Sequence, residues 1–304
     1  MTTRFALDKN GMFIGNNNAV KLLERIIKSG KISHVYLFSG PESVGKLAIA
    51  KIFAKGIMTR QSFASILSSM KVNDKNAILP DLIILEPEIE EKKGVIREMD
   101  IKIEKVREIQ KKLSLFPYKG EYKVLIVNNA HRMTEESQNA LLKTLEEPNE
   151  TSIIVLVTHE EGKILPTVKS RCQKIKFNLV PANEIKEKSS ASDEIISLSL
   201  GRPGLAIRMN KDEEEFDLRT DALKKLRSLP KAGINQRLKM AEELSKDISG
   251  AIKKMELWIW SLHDPAQKDI RLFKVIEKIE KSLDEIKNTN ANTRLILENL
   301  LLNL

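Results

Sequence analysis

The sequence is poor in the residues that build disulfides and metal sites. Its 304 residues include one cysteine, Cys172, and four histidines. A single cysteine excludes a disulfide framework and a cysteine-based zinc site within the chain. The histidines, at positions 34, 131, 159 and 263, show no ligand spacing such as H-x-x-x-H. The sequence therefore predicts no metal site.

Long apolar runs are also missing. None approaches the ~18 residues that a membrane span requires, and the opening stretch MTTRFALDKNG lacks the apolar core of a signal peptide. Hydrophobic residues make up 41% of the chain and charged residues 31%, a balance typical of soluble globular proteins. These features predict a cytoplasmic protein of two or three domains with no membrane partner.

Positive charge is in excess, with a net charge of +9. Residues 1–212 hold 34 basic and 26 acidic residues, whereas residues 213–304 hold 17 and 16. The excess is compatible with nucleic acid nearby. A solvated lysine-rich surface explains it equally well, because no basic run is interleaved with aromatic residues.

Five short apolar runs alternate with helical patterns in the first part of the chain. They are VYLF, LIIL, VLIV, IIVLV and KIKFNLV, at 35–38, 82–85, 124–127, 153–157 and 174–180. Continuous runs of this kind are typical of strands buried in a parallel sheet, and their alternation with helices predicts a doubly wound α/β layer. We expect an α/β domain at 1–180, a helical lid at 181–212 and a helical C-terminal domain at 213–304.

The stretch SGPESVGKL, residues 39–47, nearly matches the phosphate-binding loop G-x-x-x-x-G-K-[ST]. Gly40 and Gly45 would let backbone amides turn towards a phosphate, and Lys46 would reach the outer phosphates. Leu47, however, replaces the hydroxyl that would bind Mg²⁺. Nucleotide binding and a purely structural turn both stay open, and hydrolysis is disfavoured.

The end of the third apolar run also argues against hydrolysis. The apolar run VLIV ends in Asn128 and Asn129, where ATPases of this kind carry Asp and Glu. A neutral amide binds Mg²⁺ poorly and cannot accept a proton from the attacking water. Two independent losses, at Leu47 and at the asparagine pair, predict a nucleotide site that no longer hydrolyses.

The segments NALLKTLEEP, KSRCQK, FSGPESVGK and PDLIILEPE together resemble the clamp-loader branch of the AAA+ proteins. The C-terminal NTNANTRLILENLLL is similar to the last helix of the bacterial DNA polymerase III delta-prime subunits. The resemblance is strongest over 34–178 and weaker over 183–290. It implies an AAA+ P-loop domain with a five-stranded parallel sheet, a small helical lid and an all-helical C-terminal collar domain.

The resemblance also implies roles for single residues. Arg171, in the motif Ser-Arg-Cys, would be an arginine finger that serves the ATP site of a neighbouring subunit; pairing with a surface glutamate is the alternative. Thr158 matches a sensor position at a strand end. Gly204 stands where active relatives carry the arginine of G-x-x-R. Many delta-prime relatives hold zinc with four cysteines, but the corresponding residues 60–81 contain none.

The function implied is that of a non-hydrolysing delta-prime-like subunit of the clamp loader. Its partners would be the gamma/tau ATPase subunits and the delta subunit, and through the complex the sliding clamp and primed DNA. No cofactor would be required, any ATP or ADP would bind weakly, and zinc would be absent. The alternative is an active gamma/tau-like ATPase subunit. A AAA+ DNA-binding initiator is disfavoured because residues 213–304 are nearly neutral.

Overall fold

The computed structural model describes residues 13–69, 79–92, 95–266, 269–289 and 291–304. The strands are β1 (Val35–Ser39), β2 (Leu82–Leu85), β3 (Ile89–Lys92), β4 (Val95–Glu98), β5 (Lys123–Val127), β6 (Ser152–Thr158) and β7 (Gln173–Lys176). The helices up to the lid are α1 (Asn17–Ser29), α2 (Lys46–Thr59), α3 (Phe63–Ser69), α4 (Ile103–Leu113), α5 (Glu135–Glu146), α6 (Pro166–Lys169), α7 (Ala182–Lys188), α8 (Asp193–Ser199) and α9 (Pro203–Met209). The later helices are α10 (Glu213–Ser228), α11 (Ile234–Lys246), α12 (Ile248–Ala266), α13 (Arg271–Asn288) and α14 (Thr293–Asn303).

The central sheet contains the five strands that the apolar runs predict. Its order is β2-β5-β6-β1-β7, and each neighbouring pair is parallel. Every residue of β1, β5 and β6 is buried, because helices cover both faces. The predicted α/β fold with a five-stranded parallel sheet is therefore confirmed.

The last strand is shorter than its apolar run suggests. The amide of Phe177 still donates to the Ser39 carbonyl, at 2.8 Å. The amide of Asn178 instead donates to the Asn16 side chain, and that of Val180 donates to the Gly201 carbonyl, each at 2.8 Å. Since these amides have left the sheet, β7 ends at Lys176 rather than at residue 180.

Alternate residues of the strands supply two separate cores. Tyr36 and Phe38 of β1 face α1 and α2, and Tyr36 meets Phe53 of α2 edge to face with 5.0 Å between ring centroids. Val35 and Leu37 point to the other face, where α4 and α5 pack. This two-sided burial stabilises the sheet. Because its strands are parallel, their carboxyl ends lie at one edge.

The hairpin of β3 and β4 was not among the predicted elements. The two strands form a small sheet of their own. Their segments, IEEK and VIRE, are mostly charged. Such segments lack the apolar alternation by which a strand is recognised from sequence.

Contacts divide the chain into two compact units. One consists of Met1–Ile89 and Glu98–Arg208, and the other of Glu90–Arg97 and Met209–Leu304. The predicted division into three domains stays a prediction. No described helix combines the length and the low charge needed to cross a bilayer.

The helical unit has its own core, built by α10 to α14. Trp258 is fully buried, and its indole Nε1 donates to the Ala222 carbonyl at 2.7 Å. Arg237 of α11 donates to the Leu301 carbonyl of α14, also at 2.7 Å. Leu297 and Leu301 are fully buried against these helices. The last helix is thus part of the core rather than a loose tail.

Candidate functional site

The near-match to a phosphate loop has the expected backbone. The loop follows β1 and leads directly into α2. Gly40, Ser43 and Gly45 have φ angles of 138°, 59° and 98°, the left-handed region that favours glycine. A Cβ added at Gly40 would lie 2.1 Å from the carbonyl oxygen of Phe177. Glycine is therefore required at position 40 by packing as well as by conformation.

Lys46 is turned into its own loop. Its side chain is buried, and its Nζ donates to the carbonyl of Gly40 at 2.6 Å and to that of Pro41. Burial lowers the pKa of the Lys46 ammonium to about 8; Glu42 opposes this shift and the charge of Arg202 adds to it. Two of the three N–H donors of this ammonium are taken by the loop's own carbonyls, so a phosphate would have to compete with them for the charge.

The helix α9 closes over the loop. The amide of Gly204 donates to the Ser43 carbonyl at 2.9 Å, and a Cβ at Gly204 would lie 2.7 Å from that oxygen. Arg208 adds a bond from Nη2 to the Ser43 hydroxyl at 3.1 Å. In this arrangement position 204 has no room for an arginine. Arg202, two residues before Gly204, lies close enough to affect the pKa of Lys46.

The asparagine pair lies at the carboxyl end of β5 and binds carboxylates from elsewhere in the chain. The side-chain amide of Asn128 donates to Glu86 at 3.2 Å. That of Asn129 donates to both oxygens of Glu98, at 3.0 and 3.2 Å. Two acids thus border the position where hydrolysing relatives would carry their own, although each is already held by an amide.

Thr158 ends β6 at the same edge and is fully buried. Its hydroxyl lies 3.3 Å from Nδ1 of His131 and accepts the amide of Glu160 at 3.0 Å. The imidazole rings of His131 and His159 meet edge to face, 4.2 Å apart. Burial lowers the pKa of His131 to about 4, with a further contribution from His159, so this imidazole is neutral at pH 7.

Arg171 lies between α6 and β7, and it is exposed. Its Nη2 donates to Glu146 of α5 at 2.6 Å, and its Nη1 donates to the Thr167 carbonyl at 2.9 Å. Arg171 is thus held by Glu146, in the motif NALLKTLEEP, while its guanidinium remains open to solvent. The pairing with a surface glutamate, named above as the alternative to a finger, is present; the role in a neighbouring site stays a prediction.

A family model described as DNA polymerase III, delta subunit, matches residues 15–181, which is more than half of the chain. The chain belongs to this family. The clamp-loader resemblance drawn from the motifs is thereby confirmed.

Curated relatives include two kinds of subunit. The DNA polymerase III subunit tau of Bacillus subtilis is 28% identical over 303 residues, which cover 90% of this chain and 52% of the relative. The subunit delta' of the same organism is 26% identical over 215 residues, which cover 67% of this chain and 62% of the relative. The chain thus spans between half and two thirds of the length of these relatives.

A solved structure shows the same fold. A DNA polymerase III gamma subunit-related protein of Thermotoga maritima superposes with a TM-score of 0.51 at 22% identity, over 93% of this chain and 97% of that one. The AAA+ P-loop fold is confirmed. Membership of the delta subunit family does not by itself separate delta-prime from gamma/tau, because both kinds are among the relatives.

Sequence reasoning missed four residues of this edge. Glu86 directly follows β2, and a carboxylate at the end of a parallel strand is a signal that could have been used. Glu98 belongs to the unforeseen hairpin. His131 and His159 are 28 positions apart in the chain, so only the neighbouring positions of β5 and β6 in the sheet reveal that they meet.

Proposed function

We propose that this chain is a non-hydrolysing, delta-prime-like subunit of the DNA polymerase III clamp loader, and that it serves a neighbouring ATPase subunit through Arg171. The observation that carries the proposal is a contrast within one compact unit. The phosphate loop is closed by buried contacts of Lys46 and Gly204. Arg171 is exposed, and its ion pair with the exposed Glu146 could be replaced by another anion.

The loop supports the absence of hydrolysis on steric and electrostatic grounds. A nucleotide would compete with the loop's own contacts, because Lys46 already donates to two carbonyls and Gly204 of α9 already donates to the Ser43 carbonyl. Each buried polar group left without a partner costs about 1–3 kcal/mol. Even with a nucleotide in place, Leu47 offers no oxygen to Mg²⁺.

The strand end supports the same conclusion. A carboxylate that activates the attacking water must lie within hydrogen-bond reach of that water. Glu98 is bound by the Asn129 amide through both of its oxygens. Because both oxygens already accept from this amide, neither is free to take a proton from water, which makes Glu98 a poor substitute for the missing acid.

Arg171 supports the role in trans. A guanidinium can bind a transferring phosphate with planar, fixed donors. The phosphate loop of this chain is proposed not to hydrolyse, so the phosphate that Arg171 serves would be one bound by a neighbouring subunit. Its pairing with Glu146 is between exposed groups, and such pairs contribute less than about 1 kcal/mol. A phosphate presented by a neighbouring subunit would therefore displace Glu146 at low cost.

The helical unit would supply the contacts of assembly. Leu295 and Leu302 of α14 are 61% and 43% exposed, although Leu297 and Leu301 of the same helix are buried. Large apolar side chains at the surface of a nearly neutral unit favour protein rather than DNA contacts. We expect gamma/tau and delta subunits as partners there, and the clamp and primed DNA through the complex, in the cytoplasm.

The test is reconstitution of a clamp loader with Arg171→Ala. Because supplied arginines of this type accelerate hydrolysis by about 10³–10⁵-fold in other nucleotidases, and one ATP site of several would border this subunit, we expect clamp loading to fall at least ~10-fold. Total ATPase activity should fall less. Arg171→Lys should restore part of the loading, since a point charge lacks the planar fork.

Lys174→Ala is the matched control. Lys174 is an exposed cation on β7, three residues further along, and pairs with Glu161 at 3.1 Å. It should leave loading unchanged. Normal loading by an assembled complex that carries Arg171→Ala would overturn the proposal and leave Arg171 as a surface ion-pair residue.

An active gamma/tau-like ATPase is the second candidate. One observation favours it: Glu86 and Glu98 place carboxylates beside the asparagine pair. Measurable ATP hydrolysis by the isolated chain that is lost in both Lys46→Ala and Glu98→Gln would establish this candidate.

A further inference from the structure

A group of three potential metal ligands lies at the carboxyl end of β6. Among the described residues, His131, His159 and Glu160 are the group whose ligand atoms all lie within 4.8 Å of one another. Nε2 of His131 is 3.5 Å from Oε1 of Glu160, and Nε2 of His159 is 3.7 Å from the same oxygen. Both imidazoles therefore converge on one carboxylate oxygen.

These separations match the coordination shell of zinc. Zinc binds histidine nitrogen at about 2.0–2.1 Å and carboxylate oxygen at about 2.0–2.2 Å, so neighbouring ligands of a tetrahedral ion lie roughly 3.4 Å apart. The two measured separations exceed this value by only a few tenths of an ångström. The third pair, the nitrogens of the two histidines, lies within 4.8 Å, so the ligands would have to draw together to complete the shell.

The surroundings orient the ligands. If His131 bound an ion through Nε2, its Nδ1 would carry the proton and donate it to the Thr158 hydroxyl, 3.3 Å away. That hydroxyl is itself fixed by the Glu160 amide. Outer partners of this kind hold the tautomer and orientation of metal-binding histidines.

Charge and access also fit a cation. Lys163 holds the other oxygen of Glu160, Oε2, at 2.7 Å, which leaves Oε1 for an ion. The carboxylates of Glu42 and Glu98 act on His159 and add negative charge around the group, whereas Lys46 opposes them at His159 and Lys163 and Arg132 oppose them at His131. The His131 side chain is 2% exposed but that of Glu160 is 40% exposed, so the group is open on one side.

We propose that His131, His159 and Glu160 form a divalent transition-metal site, with Zn²⁺ as the favoured ion and the fourth position open to water. Two imidazoles and one carboxylate are a ligand set that suits zinc better than Mg²⁺ or Ca²⁺, which prefer oxygen ligands throughout. The ion would join the turn after β5 to the end of β6. This proposal departs from the expectation of no metal, which considered spacing along the chain alone.

The test uses the full chain without a tag, freed of metal by a chelator and then titrated with Co²⁺ as a spectroscopic substitute for Zn²⁺. We expect one Co²⁺ per chain, a visible absorption spectrum typical of four-coordinate cobalt, and loss of that spectrum when Zn²⁺ is added. Zn²⁺ should also raise the Tm of the chain, because an ion that binds the folded state stabilises it.

Because His131 is nearly fully buried, the deciding variants are His159→Asn and Glu160→Gln. Each should weaken Co²⁺ binding by at least ~10-fold, and Thr158→Val, which keeps the shape of the side chain, should weaken it by about 10–100-fold. His263→Asn, at an exposed histidine of α12, is the matched control and should bind as the original chain does. Absence of stoichiometric binding up to millimolar Co²⁺, or unchanged binding in both deciding variants, would overturn the proposal.

Discussion

The phosphate loop and the Arg171 edge belong to one α/β unit, and their polar contacts differ in kind. Lys46 is 6% exposed, and its hydrogen-bond acceptors are carbonyls of its own loop. The Arg171 side chain is 36% exposed, and its acceptor Glu146 is 49% exposed. One cation is thus enclosed by its own backbone, and the other is held at the surface by the Glu146 carboxylate and the Thr167 carbonyl.

The difference matters because the free-energy cost of breaking a polar contact depends on how deeply it is buried. Breaking buried hydrogen bonds without replacing them costs about 1–3 kcal/mol per group. An exposed ion pair contributes less than about 1 kcal/mol. We therefore expect changes at the loop to alter stability with little effect on activity, and changes at the arginine edge to do the reverse.

The largest expected effect concerns hydrolysis by the isolated chain. Because the loop is closed and Leu47 offers no Mg²⁺ ligand, steady-state turnover should lie at least about a hundredfold below the ~1 per second of slow working enzymes. Lys46→Ala should leave that background unchanged. Turnover that Lys46→Ala abolishes would remove the contrast between the two regions.

The second effect is the pH dependence contributed by Lys46. Its pKa is lowered to about 8 in the folded chain from 10.5, so between these values the unfolded state binds more protons. The free energy of unfolding should then rise with pH across this window, by up to about 3 kcal/mol relative to Lys46→Met. Urea denaturation followed by circular dichroism at pH 7.5 and pH 10 measures the difference; equal pH dependence in both chains would contradict the burial of a charged Lys46.

The third effect tests the contact between α9 and the loop. Gly204→Ala places a Cβ 2.7 Å from the Ser43 carbonyl and should destabilise the chain by about 1–3 kcal/mol. Gly162→Ala is the control, because a Cβ at that position meets nothing within 4 Å. Equal stability of the two variants, measured by circular dichroism, would mean that α9 does not rest on the loop in solution.

The smallest effect on stability is expected at Glu146. Glu146→Gln keeps the shape of the side chain and removes the charge that holds Arg171, so the chain should lose less than about 1 kcal/mol. In an assembled loader, however, a less ordered Arg171 should lower loading by a few-fold. A large loss of stability with normal loading would assign the pair to the fold instead of to function.

The sheet was predictable from continuous apolar runs, which burial on both faces explains for β1, β5 and β6; the edge strand β2 has such a run although Ile84 is exposed. Each run from VYLF to IIVLV lies within a strand of the structure. The early end of β7 was not predictable. The amides of Asn178 and Val180 donate to Asn16 and Gly201, which are distant in the chain, instead of to the neighbouring strand. Local pattern carries no information about such partners.

The residues of the candidate site likewise include some that the sequence could reveal and some that it could not. Gly40, Gly45 and Lys46 could be found because one loop places them together. A threonine at the start of a helical pattern is a local signal of the same kind, and the Thr134 hydroxyl accepts the Ser137 amide. The closeness of Gly204 to Ser43, and of Glu98 to Asn129, depends on how separate elements pack. Spacing along the sequence reveals neither.

The buried Trp258 determines what an optical experiment on this protein can detect. The chain has two tryptophans, Trp258 and Trp260, and both belong to α12. Intrinsic tryptophan emission therefore reports on the helical unit, and a transition confined to the sheet and the phosphate loop leaves it nearly silent. Emission and far-ultraviolet ellipticity recorded on one sample would show whether the two units melt together or in succession.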